Sequence, residues 1–256
     1  MAEIIKINGN TWRIEDGMVR FFLLAGSEKA LFIDSGNTKG ADLKGMAAGL
    51  TELPVLLMNT HGDPDHAAGN GAFAEFYMHP ADEALYRSRG GEGKIIPLKD
   101  GQVLDLGGRP LKIIHIPGHT PGSVAVLDVN AGVLYSGDSV QNSNMFMFGP
   151  GRSFAELAKS LKKLQALKDS ISVIHPSHGT FPEQPELIDK IAEGASVIIA
   201  HKYPEAAEGG KGAHDKIALR YGTAEISRAE RFGKKIEIWR FPYGGFLCDG
   251  KENDQS

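Results

Sequence analysis

Four short loops, each directly after an apolar segment, constrain the fold of this chain more than any other sequence feature. The first covers residues 59–70 and follows Val55–Met58, an apolar run typical of a buried strand. Gly62 and Pro64 break that run into a tight loop. Within six residues the loop holds two histidines and two aspartates, namely His61, Asp63, Asp65 and His66. Imidazoles and carboxylates this close together indicate a metal-binding site.

Three later loops repeat the arrangement, each with one histidine or aspartate beside a glycine just past an apolar segment. A single loop histidine is more often a solvated polar residue than a ligand. Four such loops in one chain favour a shared site, because side chains at the carboxyl ends of strands can converge on one edge. The three later residues are His119 after segment 111–116, Asp138 after segment 133–135, and His178 after segment 171–174.

The order of the elements predicts two sheets packed face to face with helices outside, because strands precede helices twice along the chain. Apolar runs predict strands within residues 3–34 and again between residues 103 and 135. Apolar residues at helical spacing predict helices over 38–50, 154–167 and 185–201. We expect a core of residues 1–184 and a C-terminal extension of residues 185–256 that completes the fold.

Composition narrows the classes of function. The chain of 256 residues is 41% hydrophobic and 23% charged, as in an average soluble domain. A net charge of -4 gives no general attraction to nucleic acid or to an anionic membrane, so neither is expected as a partner. Cys248, the single cysteine, excludes an internal disulfide framework and a thiolate-rich zinc site. No signal peptide or spanning segment is evident, so we expect a cytoplasmic protein.

The four loops, taken in order, resemble the metallo-β-lactamase superfamily. The signature of that family is His-x-His-x-Asp-His, followed by loops similar to Gly-His-Thr-Pro-Gly, Gly-Asp and Gly-His-Gly. The resemblance covers about residues 3–180 of this chain. It implies an α/β protein with a four-layer αββα sandwich, in which two mixed sheets are flanked by helices and a dinuclear metal site lies at one edge.

The resemblance also implies a role for each loop residue. One ion would be bound by His61 and His119, the other by Asp65, His66 and His178, and Asp138 would bridge the two ions. Asp34 matches an early Asp-x-Gly segment of the family and would orient a ligand histidine. The alternative for Asp34 is a turn or helix-capping aspartate.

Asp63 is the one departure from the signature, because the family usually has a histidine there. A carboxylate can still bind a metal and is a harder donor than imidazole. We therefore expect two divalent ions, zinc first, with manganese or iron as alternatives that Asp63 would favour. The other alternative is that Asp63 points away and leaves the first site weak.

Two divalent ions imply hydrolysis, because a water held between them becomes a hydroxide nucleophile near neutral pH. Asp65 would accept or relay its proton. The expected substrate is a small-molecule ester, thioester or lactone, as in the glyoxalase II and lactonase branches, cleaved by a monomer or homodimer. The alternatives are a β-lactam or phosphodiester hydrolase, an iron-dependent redox enzyme similar to sulfur dioxygenases or flavodiiron proteins, and a binding protein without turnover.

The segment after Asp138 offers a substrate pocket. Phe146 and Phe148 could form an apolar wall for an acyl group, and Arg152 could bind an anion. The alternative is that these residues pack against the helix predicted over 154–167. Residues 185–250 could supply a lid, with Tyr203 and Tyr221 as candidate pocket residues and Lys211 beside them.

Overall fold

A computed structural model describes residues 2–202, 224–231 and 234–249. Seven strands form the first sheet in chain order, antiparallel from β1 to β4 and parallel from β4 to β7. They are β1 (Glu3–Asn8), β2 (Thr11–Asp16), β3 (Val19–Ala25), β4 (Ala30–Ile33), β5 (Val55–Met58), β6 (Glu75–Met78) and β7 (Lys94–Pro97). The parallel strands β4, β5 and β6 therefore end at the same edge of this sheet.

Five strands form the second sheet, in the order β13-β11-β10-β9-β8. They are β8 (Val103–Asp105), β9 (Pro110–His115), β10 (Val124–Asp128), β11 (Val133–Gly137) and β13 (Val173–Pro176). Only the β11–β13 pair is parallel, and β9 and β11 flank β10 in antiparallel fashion. Consequently β9, β11 and β13 run in the same direction, and their carboxyl ends share one edge.

A third sheet of four strands, in the order β12-β16-β15-β14, joins the C-terminal segment to the middle of the chain. Its strands are β12 (Asn144–Met147), β14 (Glu225–Arg231), β15 (Lys234–Phe241) and β16 (Gly244–Asp249). Because β12 pairs with β16 in parallel, the chain soon after Asp138 is bonded to residues just over a hundred positions later.

Five α-helices are described, together with short 3-10 turns over 70–72, 80–82 and 168–170. They are α1 (Leu43–Ala48), α2 (Pro64–Ala67), α3 (Glu83–Ser88), α4 (Phe154–Gln165) and α5 (Glu186–Lys202). Helix α4 begins at Ser153, whose hydroxyl accepts a hydrogen bond from the Glu156 amide, and its apolar stripe is buried against α5 and the second sheet. No helix in these described ranges is long and apolar enough to cross a membrane.

Three apolar layers hold the sheets and helices together. Buried side chains of β3 and β4 meet those of β9, β10 and β11, so the first two sheets pack face to face. Helices α1, α2 and α3 cover the outer face of the first sheet, and α4, α5 and the third sheet cover the outer face of the second. The predicted αββα sandwich of mixed sheets is confirmed, and the third sheet is added to it.

His175, at the end of β13, lies in the layer between the sheets. Its ring stacks on Phe22 with centroids 5.7 Å apart and also contacts Tyr135 and Phe181. Burial, with smaller contributions from Arg13 and Arg20, lowers the pKa of His175 from 6.5 to about 4. His175 is thus a neutral packing residue of this layer.

This burial predicts an acid-sensitive contribution to stability. Between pH 6.5 and about pH 4 the unfolded chain binds a proton at His175 that the folded chain does not, so stability falls as pH falls. Lowering the pH from about 7 to 4.5 should therefore cost about 2–3 kcal/mol through this residue. His175→Phe keeps a ring in the stack and should remove that increment, as measured by urea unfolding at both pH values. Equal pH dependence in the wild type and the variant would contradict this account.

Candidate metal centre

The predicted ligand residues meet where the aligned carboxyl ends of the two large sheets come together. His61 follows β5 of the first sheet, and helix α2 places Asp65 and His66 one turn further on. From the second sheet, His119, Asp138 and His178 follow β9, β11 and β13. The shared direction of these strands is what brings residues more than a hundred positions apart to one edge.

The ligand atoms fall into two groups of three, and within each group they lie within 4.8 Å of one another. One group is His61, His119 and Asp138, and all three are buried. The other group is Asp65, His66 and His178, of which only His66 is fully buried. This is the division between two ions that the resemblance implied.

Asp138 lies between the two groups. Its Oδ1 is 3.2 Å from His66 Nε2 and 3.4 Å from His178 Nε2. Its Oδ2 is 3.7 Å from His119 Nε2, on the other side. One carboxylate therefore presents an oxygen to each group, as a bridging ligand would.

The four histidines are oriented in the same way. In each ring Nδ1 faces an acceptor, so the proton is assigned to Nδ1 and the Nε2 lone pair points toward the centre. The acceptors are Thr60 Oγ1 for His61 at 3.0 Å, Asp34 Oδ2 for His66 at 2.9 Å, Phe146 O for His119 at 3.0 Å and Met18 O for His178 at 2.6 Å. Imidazoles that direct Nε2 to a common point, with Nδ1 bonded elsewhere, are suited to binding metal ions.

Asp34 connects two of these rings. Its carboxylate accepts hydrogen bonds from the Thr60 amide at 2.7 Å and the Thr60 hydroxyl at 2.8 Å, besides the one from His66. Asp34 is fully buried and has a φ of 67°, which non-glycine residues rarely adopt. Its side chain thus holds both His61, through Thr60, and His66.

Asp82, which the sequence did not reveal, holds two of the ligand loops together. It lies in the 3-10 turn after β6 and is fully buried. Its Oδ2 accepts from the Gly62 amide at 2.8 Å and the Thr120 hydroxyl at 2.7 Å, and its Oδ1 accepts from the Gly122 amide at 2.6 Å. A Cβ at Gly122 would lie 2.7 Å from Asp82, so only glycine allows this approach. A polar residue after a parallel strand was the available signal.

Three polar residues hold the short helix α2 in place. The Asn59 amide and the Ser35 hydroxyl both donate to the His66 carbonyl, at 2.8 and 3.1 Å. Asn70 accepts from Ser35 at 2.7 Å and donates to Asn59 at 2.8 Å. This closed, buried network fixes His66 from its backbone side.

The charges of the centre shift several pKa values. Burial lowers the pKa of His66, but Asp138, Asp34 and Asp65 outweigh it and raise that pKa well above its ordinary value. Burial raises the pKa of Asp138, but His66 and His178 outweigh it and hold that pKa well below its usual range. Burial alone would favour neutral groups, so this pattern reflects ion pairs packed around a shared point.

Two buried atoms of the centre test whether a cation fits. His61 Nε2 and Asp138 Oδ1 have no hydrogen-bond partner within the described part of the chain. Buried polar atoms without partners are costly in a folded protein. Both belong to the converging atoms described above, so a divalent metal ion bound by these nitrogen and oxygen donors would satisfy them.

Asp63 also points into the centre. Its Oδ2 lies 3.2 Å from His119 Nε2 and 3.6 Å from His61 Nε2. Both of its oxygens are also bound by Arg152 Nη2, at 2.7 and 3.0 Å. Arg152 therefore contacts the metal-facing carboxylate directly.

A cavity of about 940 Å³ opens over the centre. Phe146, Phe148 and Arg152, all expected in the substrate pocket, line it together with Leu247 of β16. The two phenylalanine rings lie 5.6 Å apart, and Phe146 is 36% exposed. The cavity thus has an apolar wall beside the ligand residues.

Three candidates of the C-terminal segment, Tyr203, Lys211 and Tyr221, lie outside the described residues. His115 Nε2 donates a hydrogen bond to the Pro121 carbonyl at 2.9 Å, and the His115 ring stacks on His79 with centroids 3.8 Å apart. The His201 ring contacts Trp239 edge-on, with centroids 5.0 Å apart.

We expect Asp34→Asn to weaken zinc binding about 10–100-fold, because an amide nitrogen cannot accept the protons of Thr60 and His66. A zinc titration against a fluorescent indicator measures this. Asp42→Asn, at the start of the remote helix α1, is the matched control and should leave zinc affinity unchanged. Equal affinities for the two variants would show that Asp34 does not orient the ligands.

The chain is similar in sequence to a known family and to individual proteins. The family model of the metallo-β-lactamase superfamily matches residues 14–178. Acyl-coenzyme A thioesterase MBLAC2 of Gallus gallus is 27% identical over 196 residues, which is 61% of this chain and 71% of that protein. Hydroxyacylglutathione hydrolase of Gloeobacter violaceus is 34% identical over 109 residues, which is 42% of this chain and 41% of that protein.

A solved structure has a similar fold. A metallo-beta-lactamase from Pontibacter korlensis superposes with a TM-score of 0.65 and 20% identity, covering 75% of this chain and 97% of that one. At this identity the likeness concerns the fold alone. The match to the family over most of the two large sheets confirms the resemblance drawn from the four loops. The chain belongs to the metallo-β-lactamase superfamily and is, at that level, a metal-dependent hydrolase.

Proposed function

We propose that the protein is a dinuclear metal hydrolase that cleaves an ester, thioester or lactone bond of a small molecule. The observation that carries this proposal is Asp138, whose two oxygens face the two ligand groups. Six ligands so divided suit a pair of divalent ions, with zinc as the first expectation. The carboxylate of Asp63 makes manganese or iron the alternatives.

Each residue around the centre has a distinct task in this proposal. Two bound divalent metal ions would lower the pKa of a bound water and would act as a Lewis acid on the scissile carbonyl. The histidines keep their protons on Nδ1 and so leave Nε2 for binding. Asp65, half-buried at the cavity wall and 3.3 Å from His178 Nε2, is placed to accept a proton during attack. Asp138 fixes the spacing of the two groups.

The cavity favours a substrate with an apolar part. Phe146, Phe148 and Leu247 offer an acyl chain a hydrophobic wall next to the ligand residues. Leu247 belongs to the third sheet, so we infer that residues 185–256 complete the pocket. Arg89 also lines the cavity, with its guanidinium 3.9 Å from Asp63 and its side chain 46% exposed. The relatives named as thioesterase and as hydroxyacylglutathione hydrolase make a thioester the first substrate to test.

A substrate panel tests the proposal. Protein freed of metal with a chelator is reloaded with zinc, manganese or iron and assayed on chromogenic thioesters, lactones, esters, phosphodiesters and β-lactams. We expect metal-dependent hydrolysis, strongest for thioesters with an apolar acyl group. Absence of hydrolysis across the panel in every metal form would overturn the proposal, whereas activity only on phosphodiesters or β-lactams would transfer it to those substrates.

One observation supports a second candidate. A carboxylate beside His61 and His119, in place of a third imidazole, is a donor that iron accepts readily. The iron form should therefore also be tested for oxygen consumption with a persulfide. Oxygen uptake without hydrolysis would replace the hydrolase by an iron-dependent redox enzyme.

A further inference from the structure

Arg152 is a buried cation inside the first ligand group. Its side chain is only 8% exposed, and a buried arginine normally has a charged or polar partner. Its Nη2 binds both oxygens of Asp63, at 2.7 and 3.0 Å. Its Nη1 lies 3.0 Å from both ring nitrogens of His119. A positive charge of the chain thus occupies the surroundings in which the first metal ion would be bound.

The position of Arg152 does not depend on Asp63 alone. Nη1 also donates to the carbonyls of His119 and Phe146, at 2.8 and 3.1 Å. The next residue, Ser153, donates its amide to Gly118 at 2.9 Å and caps helix α4. These backbone contacts hold the guanidinium against the His119 loop whether or not Asp63 accepts from it.

The contact has a direct consequence for the first group. Asp63 Oδ2, the oxygen that faces His61 and His119, is also the oxygen that Arg152 binds most closely. A cation bound there must share this oxygen with a guanidinium. It must also approach a fixed positive charge in surroundings that screen charge poorly. Both effects weaken metal binding at the first group.

The second group carries no such charge. Within the described ranges, Asp65 forms ion pairs only with His66 and His178. Arg20 lies behind the His178 loop, where it donates to the carbonyls of Pro176 and Gly179, but it is paired with Glu15. The two groups share Asp138, and each has a further carboxylate, Asp63 or Asp65. The second group also has Asp34 behind His66, whereas the first has the positive charge of Arg152.

We propose that Arg152 is a built-in competitor for the first metal ion, so that the second group binds its ion tightly and the first binds its ion weakly. This inference rests on the proposed dinuclear function and specifies the order in which the two sites fill. It implies that the protein holds one ion at low metal concentration. The ion of the first group would then be gained and lost as the metal concentration changes.

A zinc titration tests the proposal without any assay of activity. Metal-free protein is titrated in competition with a fluorescent zinc indicator, and each variant is first checked for a wild-type melting curve. We expect the wild type to bind one zinc ion tightly, at the second group. We expect it to bind another zinc ion at least about tenfold more weakly, at the first group. Arg152→Met removes the charge and keeps an apolar side chain of similar length. It should tighten binding of the weak zinc ion at the first group by about tenfold or more and leave the affinity of the second group unchanged.

Matched variants separate charge from location. Arg89→Met removes an exposed guanidinium near the same carboxylate and should change neither affinity by more than about twofold, because solvent screens it. Arg152→Lys keeps the charge and should leave zinc binding at the first group weak. His178→Ala should abolish the tightly bound zinc ion, whereas His61→Ala should retain it. If Arg152→Met does not fold, these two variants still decide which group binds its ion tightly.

Three results would overturn the inference while leaving the proposed function intact. The first is equal zinc affinity at both groups in the wild type. The second is an unchanged affinity of the weak site in Arg152→Met. The third is a tightly bound zinc ion that survives His178→Ala but not His61→Ala. A wild-type protein that binds no zinc, manganese or iron would instead refute the dinuclear hydrolase itself.

Discussion

Asp138→Ala is expected to lower kcat/KM for the best substrate of the panel by about a thousandfold or more, because it removes the carboxylate between both ligand groups. His66 and His178 lose their shared partner on one side, and His119 loses it on the other. Steady-state kinetics with zinc in excess measure the effect. Bound zinc should fall below two ions per chain in the same preparation.

The control for this prediction is Asp169→Ala, which removes an exposed aspartate from the 3-10 turn over 168–170. Its kcat/KM should stay within about twofold of the wild type, since exposed substitutions far from a site have small effects. If Asp138→Ala kept full zinc content and more than a tenth of the activity, a bridging role for Asp138 would be untenable.

Asp82→Ala is expected to destabilise the fold by about 3–5 kcal/mol, because three buried donors lose their acceptor at once. The donors belong to the loops that carry His61 and His119, so zinc binding at the first group should weaken together with stability. Urea unfolding of the metal-free protein measures the first effect, and the indicator titration measures the second.

Glu83→Ala is the neighbouring control for Asp82. Glu83 is an exposed acid that pairs with Arg87 one helical turn later, and such pairs contribute little to stability. Its loss should change the free energy of unfolding by less than about 0.5 kcal/mol. Similar unfolding curves for the two alanine variants would mean that Asp82 does not hold the loops together.

The sequence predicted these candidate ligands because each lies in a loop or short helix soon after a strand. A strand of apolar residues followed by glycine and a histidine or aspartate is a local pattern, and the parallel direction of the strands then brings the loops together. The contacts of Asp82, and the contact of Arg152 with Asp63, are different. Asp82 also follows a parallel strand, but its partners, like those of Arg152, lie in loops that are distant along the chain, and no local pattern predicts such contacts.

The same distinction explains the fold. The two large sheets follow from runs of strands that precede helices, a pattern that is local in sequence. The third sheet requires β12 to pair with β16, about a hundred residues later, and no local pattern predicts that pairing. Met145 and Met147 of β12 face the core, whereas Phe146 between them lines the cavity.

The central claim is that Asp138 bridges two metal ions held by the six residues at the sheet edges. Anomalous diffraction at the zinc absorption edge, from crystals of protein saturated with zinc, tests it most directly. We predict two peaks, one beside His61, His119 and Asp138 and one beside Asp65, His66, His178 and Asp138. A single peak away from Asp138, or no peak among these residues, would contradict the account.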